Sequence, residues 1–231
     1  MSKHSKRYRA LAEKVAGNLE PTGYQEAIAS IKDLAGAKFD EAVEVAVRLG
    51  VDTRKSDQAV RGTAPMPAGT GKSVRVAALC QGKQAEAAVA AGADLVGFED
   101  LLESIGAGKF EFDVLISVPE AMHKLAAHGR VLGPKGLMPN PKSGTVTANV
   151  GEAVKRAKAG EVRFRADKGG IIHAAIGRAS FAAADLEANF LALIDALKKA
   201  KPPSAKGQYL QSATIALTMS PGLPVDIAAL R

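Results

Sequence analysis

The residues best placed to do chemistry lie between His128 and Val150, in HGRVLGPKGLMPNPKSGTVTANV. There Pro134, Pro139 and Pro141 are mixed with Gly129, Gly133, Gly136 and Gly144. Proline lacks an N–H and fixes φ, and glycine permits backbone that other residues avoid. No helix or central strand is therefore expected, and the segment reads as an ordered surface loop. Ordered loops of this length tend to carry function. Arg130, Lys135 and Lys142 on such a loop suit a phosphate-bearing partner. A plain basic linker accounts for the same residues equally well, and loop chemistry alone does not choose.

Other chemical signals fall short of a catalytic site. GTGKS at Gly69–Ser73 looks like the end of a phosphate-binding P-loop, but position 66 is Met rather than the motif's first glycine. The segment also precedes a strand, whereas a P-loop follows one, so it reads as a hinge. His123 and His128 have no cysteine or acid at metal-site spacing, and His173 stands alone in a strand pattern. Cys80, the single cysteine, lies in the apolar run VRVAALC and reads as a buried thiol. No catalytic residue, metal or cofactor is expected.

The net charge of +7 is spread along the chain and favours a polyanionic partner. With 4% aromatics and no Trp, platforms for stacking splayed bases are scarce, which points to a folded nucleic acid read by shape and backbone. No apolar run approaches the roughly 20 residues of a membrane span. MSKHSKRYRALAEK lacks the apolar stretch of a secretory signal. A cytoplasmic protein without a membrane partner is expected.

These residues must be positioned by two kinds of strand. From Val74 to Met122 the pattern alternates: VRVAALC, ADLVGF and DVLISV as nearly all-apolar strands, with KQAEAAVAAGA, EDLLESIGAG and PEAMHKLAAH as helices and NVGEAVKRAKAG as a later one. Such βα units form a parallel sheet covered on both faces, a Rossmann-like three-layer lobe. EAVEVAVRLGV instead alternates Val43, Val45, Val47 and Leu49 with Glu44, Ala46 and Arg48. YLQSATIALTM alternates Ala213, Ile215, Leu217 and Met219 with Ser212, Thr214 and Thr218. EVRFRA and IIHAAIG, joined by DKGG, read as a hairpin of the same half-exposed kind. These strands flank the lobe in sequence but need one shared core. The fold expected is α/β with two domains: a discontinuous α+β outer domain, residues 1–67 and 160–231, with an antiparallel half-exposed sheet, and the inserted lobe, residues 68–159. The apolar face would be covered by helices around KRYRALAEKV, GYQEAIASIKDLAGA and FAAADLEANFLALIDALKKAK, the last behind Ser180 as N-cap. The opposite face would offer hydroxyls together with Lys38, Arg165 and Lys168, close enough to act with one another, a combination suited to phosphate and ribose 2′-OH.

The loop RVLGPKGLMPNPKSGTV resembles the bacterial ribosomal protein L-one family, the stalk proteins of the large subunit. KFDEAVEVAVRLGVD before it and VRFRADKGGIIHAAIG and TIALTMSPGLPVD after it carry the same resemblance in the expected order. VRGTAPMPAGTGK also fits as that family's interdomain crossing. The resemblance implies a structural, non-enzymatic ribosomal protein whose outer domain binds large-subunit ribosomal RNA in the mobile stalk, near the tRNA exit site, and helps deacylated tRNA leave. It implies a second role as translational repressor on the protein's own mRNA, and a monomer when free. Carried over by motif, the RNA-facing residues are Lys38, Phe39, Arg165, Asp167, Lys168, Ser212, Thr214, Thr218, Met219 and Ser220. Ser220 departs from the pattern, where glycine is usual.

Each of these has a local explanation as well. Phe39 and Met219 could be packing, exposed hydroxyls serve solubility, and Asp167 is best read as shaping the DKGG turn. A nucleotide-dependent enzyme on the Rossmann-like lobe is the competing class. It rests on fold analogy, since the lobe lacks GxGxxG after a strand. A general basic scaffold for any RNA is a third.

Overall fold

The computed structural model describes residues 5–16 and 20–228. Helices α1 (Lys6–Ala16) and α2 (Tyr24–Asp33) precede strands β1 (Ala42–Leu49) and β2 (Arg61–Pro65). Then come β3 (Val76–Leu79), α3 (Lys83–Ala90), β4 (Leu95–Gly97), α4 (Glu99–Gly106), β5 (Val114–Ser117), α5 (Met122–Ala126), α6 (Gly129–Leu132) and α7 (Val150–Gly160). The chain ends through β6 (Glu161–Arg165), β7 (Ile171–Arg178), α8 (Ala183–Lys199), β8 (Leu210–Leu217) and β9 (Leu223–Val225). Two compact units result: a split unit, Met1–Gly71 with Val162–Arg231, and an inserted unit, Lys72–Glu161.

The split unit is built on an antiparallel sheet of order β7-β1-β8-β9. Period-2 alternation turns Val43, Val45, Val47 and Leu49 inward, where they are buried, while Glu44 and Arg48 face out. Helices α2 and α8 cover the inner face with Ile28, Ile31, Leu186, Phe190, Leu193, Ile194 and Leu197. Tyr24 stacks on Phe190 at 5.7 Å. Phe190 is fully buried, so its truncation to Ala would cost about 3–5 kcal/mol. Asn189, polar yet wholly buried, is satisfied on every side. Its amide donates to Ile176 and Gly69 carbonyls, and its Oδ1 accepts the Ala68 N–H.

The inserted unit holds a parallel sheet of order β4-β3-β5, extended by a bridge from Ser117 to Val146. All four residues of β3 are buried, as expected of a strand covered on both faces, and α3 and α7 pack together beside it.

Three expectations change. EVRFRA and IIHAAIG do not pair as a hairpin: β6 pairs with β2 in a separate two-stranded ribbon, and β7 pairs with β1. DKGG is a corner between the two sheets, with Gly170 at φ 75°, a conformation that favours glycine. Ser180 does not cap α8. The cap is Ala182, and the Ser180 hydroxyl instead donates to Asp40 Oδ2 at 2.8 Å. The Gly/Pro segment begins with one helical turn, α6, because Gly129–Leu132 contains no proline and Leu132 is buried in the core. Beyond it the loop is ordered, as expected. Thr145 Oγ1 accepts the Asn140 N–H at 2.8 Å, and around Val146 the Ser117 N–H donates to the Thr145 carbonyl while the Thr147 N–H donates to the Ser117 carbonyl.

Candidate nucleic-acid interface

At one end of the four-stranded sheet, the entry to β1 meets the exit of β8. Glu41 joins them. Its carboxylate is buried, with Oε1 accepting the Gly36 and Ala37 N–H groups at 3.3 and 3.0 Å and Oε2 accepting the Met219 N–H at 3.0 Å. Thr218 adds a clasp: its N–H donates to the Ala42 carbonyl and its Oγ1 accepts the Ala42 N–H at 3.0 Å. The corner so fixed presents Lys38, Phe39 and Met219 outward. Phe39 is 55% and Met219 49% exposed, the large exposed apolar side chains of the split unit among the described residues. Met219 thus departs from the inward parity read in the sequence. The strand ends at Leu217, and the turn that follows rotates Met219 out.

Ser220 closes this turn. Its Oγ accepts the Leu217 N–H at 2.9 Å and donates to the Pro221 carbonyl at 3.0 Å, and its φ is not positive, so the position does not require glycine. Along the open face, the ladder places Ser212 opposite Arg48, and Arg48 opposite Ile171. Thr214 lies opposite Ala46, and Ala46 opposite His173. Ser212 is exposed. Thr214 is half-buried because the chain entering β9 lies over its methyl; a Cβ on Gly222 would sit 2.6 Å from Thr214 Cγ2.

Arg165 and Lys168 belong to the opposite end. Leu49, the last residue of β1, donates to the Gly170 carbonyl. Lys38 and Lys168 are therefore separated by the length of β1, eight residues or about 25 Å, and do not act as one cluster. Sequence reasoning placed them near one another on one sheet, but the antiparallel β1–β7 register puts the turn before β7 beside the end of β1, away from Lys38. At this far end the Thr53 hydroxyl donates to the Lys168 carbonyl at 2.9 Å. Thr53, Ala59, Val60, Arg61 and Arg165–Lys168 line a cleft of about 480 Å³. Asp167 Oδ1 accepts the Gly169 and Ile171 N–H groups, both at 2.8 Å, the local role its turn position implies. The Ile171 N–H first, then that of Gly169 and the nearby His173, hold its carboxyl below the usual carboxylate range.

Arg75–Asp113, Lys124–Glu99 and Lys158–Asp94 form ion pairs within the inserted unit. Lys38, Arg61, Arg165 and Lys168 are exposed and have no carboxylate partner. Of the loop cations, Lys135 lies over the Phe110 ring at 3.8 Å and Arg130 is exposed. Cys80 is buried, which pushes its thiol pKa up and keeps it unreactive. In GTGKS the Gly69 N–H is held by the Met66 carbonyl, and just before it the Ala68 N–H is held by Asn189 Oδ1. Among the described residues no group of His, Cys, Asp and Glu could hold a metal ion, and no helix is long and apolar enough to cross a membrane.

The family described as "Ribosomal protein L1p/L10e family" matches residues 31–221. The chain belongs to this family. It is 59% identical over 227 residues to the "Large ribosomal subunit protein uL1" of Dechloromonas aromatica, covering 98% of this chain and 97% of the relative. It is 57% identical to the protein of that name from Neisseria meningitidis, covering 99% of each, and 56% identical to that from Burkholderia ambifaria, covering 100% of this chain and 99% of the relative. Within this L1p/L10e chain, sequence reasoning missed Glu41, Thr53 and Arg61. Burial of Glu41 depends on a corner made from segments 178 residues apart, which leaves no local signature. Arg61 carried one signal, a cation beside a glycine in VRGT, with no stated partner.

Proposed function

We infer that this chain is a structural, non-enzymatic component of the large ribosomal subunit, at work on the ribosome, and that its split unit docks large-subunit ribosomal RNA. Nearly full-length identity to large-subunit ribosomal proteins supports the partner. The observation that carries the interface is the corner held by Glu41, which fixes Lys38, Phe39 and Met219 outward before any ligand arrives. Preorganised donors and rings lose little entropy on binding. Thr218 and Ser220 shape that corner, Ser212 and Thr214 belong to the open face, and Arg165 and Lys168 serve the far end. The resemblance of the Gly/Pro loop and the strand motifs extends the reading to the mobile stalk, to helping deacylated tRNA leave the exit site, and to repression through the protein's own mRNA.

Crosslinking in cells followed by recovery of bound RNA tests this. Ribosomal RNA should dominate, with the protein's own mRNA present at lower yield. A recovered pool without ribosomal RNA overturns the reading, and one without the cognate mRNA removes the repressor role alone. Lys72→Ala should change neither RNA recovery nor nucleotide binding, because Lys72 lies outside every element of the interface. Saturable ATP or GTP binding by the unaltered chain, lost in this variant, would restore the enzyme alternative.

A further inference from the structure

The loop that presents Lys38 and Phe39 is held from two sides. One is the clasp of Glu41 and Thr218 at the exit of β8. The other is the turn that follows β7, residues 178–181, which meets Asp40, the residue directly after Phe39. Asp40 Oδ1 accepts the Ser180 N–H at 3.1 Å, and its Oδ2 accepts the Ser180 hydroxyl at 2.8 Å. The Arg178 guanidinium donates to the Asp40 carbonyl at 3.1 Å, and the Ala179 N–H donates to the Glu41 carbonyl at 2.8 Å. The turn is anchored in its own right. Its Phe181 N–H closes on the Arg178 carbonyl, and Lys32 of α2 donates to the Phe181 carbonyl. The Phe181 ring lies close over Gly71 and Gly177, where an added Cβ would come within 3.1 and 3.0 Å of it, and a Cβ on Gly71 would also stand 2.7 Å from Arg178 Cγ. Asp40 itself is exposed. A carboxylate beside Lys38 repels a phosphate-bearing partner, so its charge opposes the docking that its neighbours favour, and only its bonds to the turn give it a use there.

Resting on the reading of this corner as an RNA-docking surface, we propose that Arg178 and Ser180 are positioning residues for RNA binding, which act through Asp40 on Phe39 without touching the RNA. Lys38 and Phe39 lie between Gly36 and Ala37, whose N–H groups Glu41 holds, and Asp40, which the turn holds. With both flanks fixed, the two residues between them have little freedom left to lose when a partner arrives. Once Asp40 is released, the peptide on the far side of Phe39 is free to rotate, and the ring must be ordered at the moment of binding.

The test uses the full chain, transcribed large-subunit ribosomal RNA and an unrelated duplex RNA of matched length, titrated over a series of KCl concentrations. Asp40→Ala should weaken ribosomal RNA binding by about two- to tenfold, the range expected when one more side chain must be ordered on binding. Were Asp40 acting only through its charge, the same variant would bind more tightly, so the sign of the change decides. Ser180→Ala should show a smaller loss in the same direction, and Ser180→Thr, which keeps the hydroxyl, should bind as the unaltered chain does. Arg178→Met keeps the stem and removes the guanidinium. It should weaken binding with the slope of log affinity against log salt unchanged, whereas loss of a direct phosphate contact would lower that slope by about 0.7–0.9. In a Phe39→Ala background the Ser180→Ala loss should vanish, because the turn acts through that ring. Asp40 and Ser180 are exposed, so thermal unfolding of their variants should be nearly unchanged. Tighter binding by Asp40→Ala, a lowered slope in Arg178→Met, or a Ser180→Ala loss undiminished without the Phe39 ring overturns the positioning role and leaves the corner standing. If Phe39→Ala leaves binding unchanged, or if the unaltered chain binds ribosomal RNA no better than the unrelated duplex, the underlying reading falls with it.

Discussion

The two sheets of this chain differ in what they leave open to a partner. In the inserted unit the parallel sheet is hidden on both faces, and four of its surface cations are engaged, Arg75 with Asp113, Lys158 with Asp94, Lys124 with Glu99 and Lys135 over Phe110, while Lys83, Lys109 and Lys155 are exposed outside these pairs. In the split unit the antiparallel sheet leaves one face open, and the cations at its two ends have no carboxylate partner. A surface pair internal to the protein gains little, about 0–1 kcal/mol, but it lowers the charge offered to a ligand. An unpaired cation keeps its full attraction for phosphate. Net charge alone does not locate the partner; an open sheet face with unpaired cations at its ends is the feature that the variants below test.

The sharpest way to break the comparison is Glu41→Ala. It removes the acceptor for three N–H groups at once and should destabilise the chain by about 1–3 kcal/mol. By releasing the Lys38–Phe39 loop from the Met219 turn, it should also weaken ribosomal RNA binding by more than about tenfold, 1.4 kcal/mol. Glu41→Gln keeps one acceptor oxygen and should recover part of both losses. Denaturant unfolding and direct titration at one salt concentration read the two effects apart. RNA affinity untouched in a variant that is clearly destabilised would show that the corner is structural only.

Next in size are Phe39→Ala and Met219→Ala. Both side chains are about half exposed, so unfolding should be nearly unchanged while binding falls by about 1–3 kcal/mol each. The reverse pattern, lost stability with intact binding, would mean that these groups pack against the protein in solution.

What the sequence made legible follows from local periodicity. The alternation in EAVEVAVRLGV set which residues of β1 are buried, and the all-apolar VRVAALC set β3 in a covered sheet, because side-chain parity and burial are properties of a few consecutive residues. What stayed hidden depends on distant pairing. RGTAP, with glycine and proline in five residues, reads as loop, and it becomes strand β2 only because β6 lies beside it. That pairing brings Arg61 beside Arg165 to form the cleft, while the antiparallel β1–β7 register, equally absent from local sequence, sets Lys168 at the far end of the sheet. Thr214 looked equivalent to Ser212 by parity, yet the Gly222 backbone covers its methyl, a contact no spacing rule contains.

A smaller effect is expected from removing the inserted unit. Residues 1–71 joined to 162–231 by a short Gly/Ser linker should fold, since every side chain of the split unit's core lies within them and closing a short loop costs little. With both unpaired ends of the sheet retained, affinity for ribosomal RNA should stay within about tenfold of the full chain. Circular dichroism must first show native secondary structure. A folded product without specific binding would move the interface into the inserted unit and invert the comparison.

The smallest effects, and the cleanest contrast, come from two lysines that differ only in what they already touch. Lys38 is exposed beside the corner and unpaired, whereas Lys135 lies 3.8 Å from the Phe110 ring centroid. If internal engagement decides which cations meet RNA, Lys38→Ala should lower the salt slope by about 0.7–0.9 and leave thermal stability alone. Lys135→Ala should do the opposite, losing about 0.5–1 kcal/mol of stability with the slope unchanged. Titration across KCl concentrations and thermal unfolding of both variants give four numbers, and the prediction lies in their crossing. A slope lowered equally by both would place the Gly/Pro loop on the RNA, and the pairing of a cation within the protein would no longer tell which surface binds.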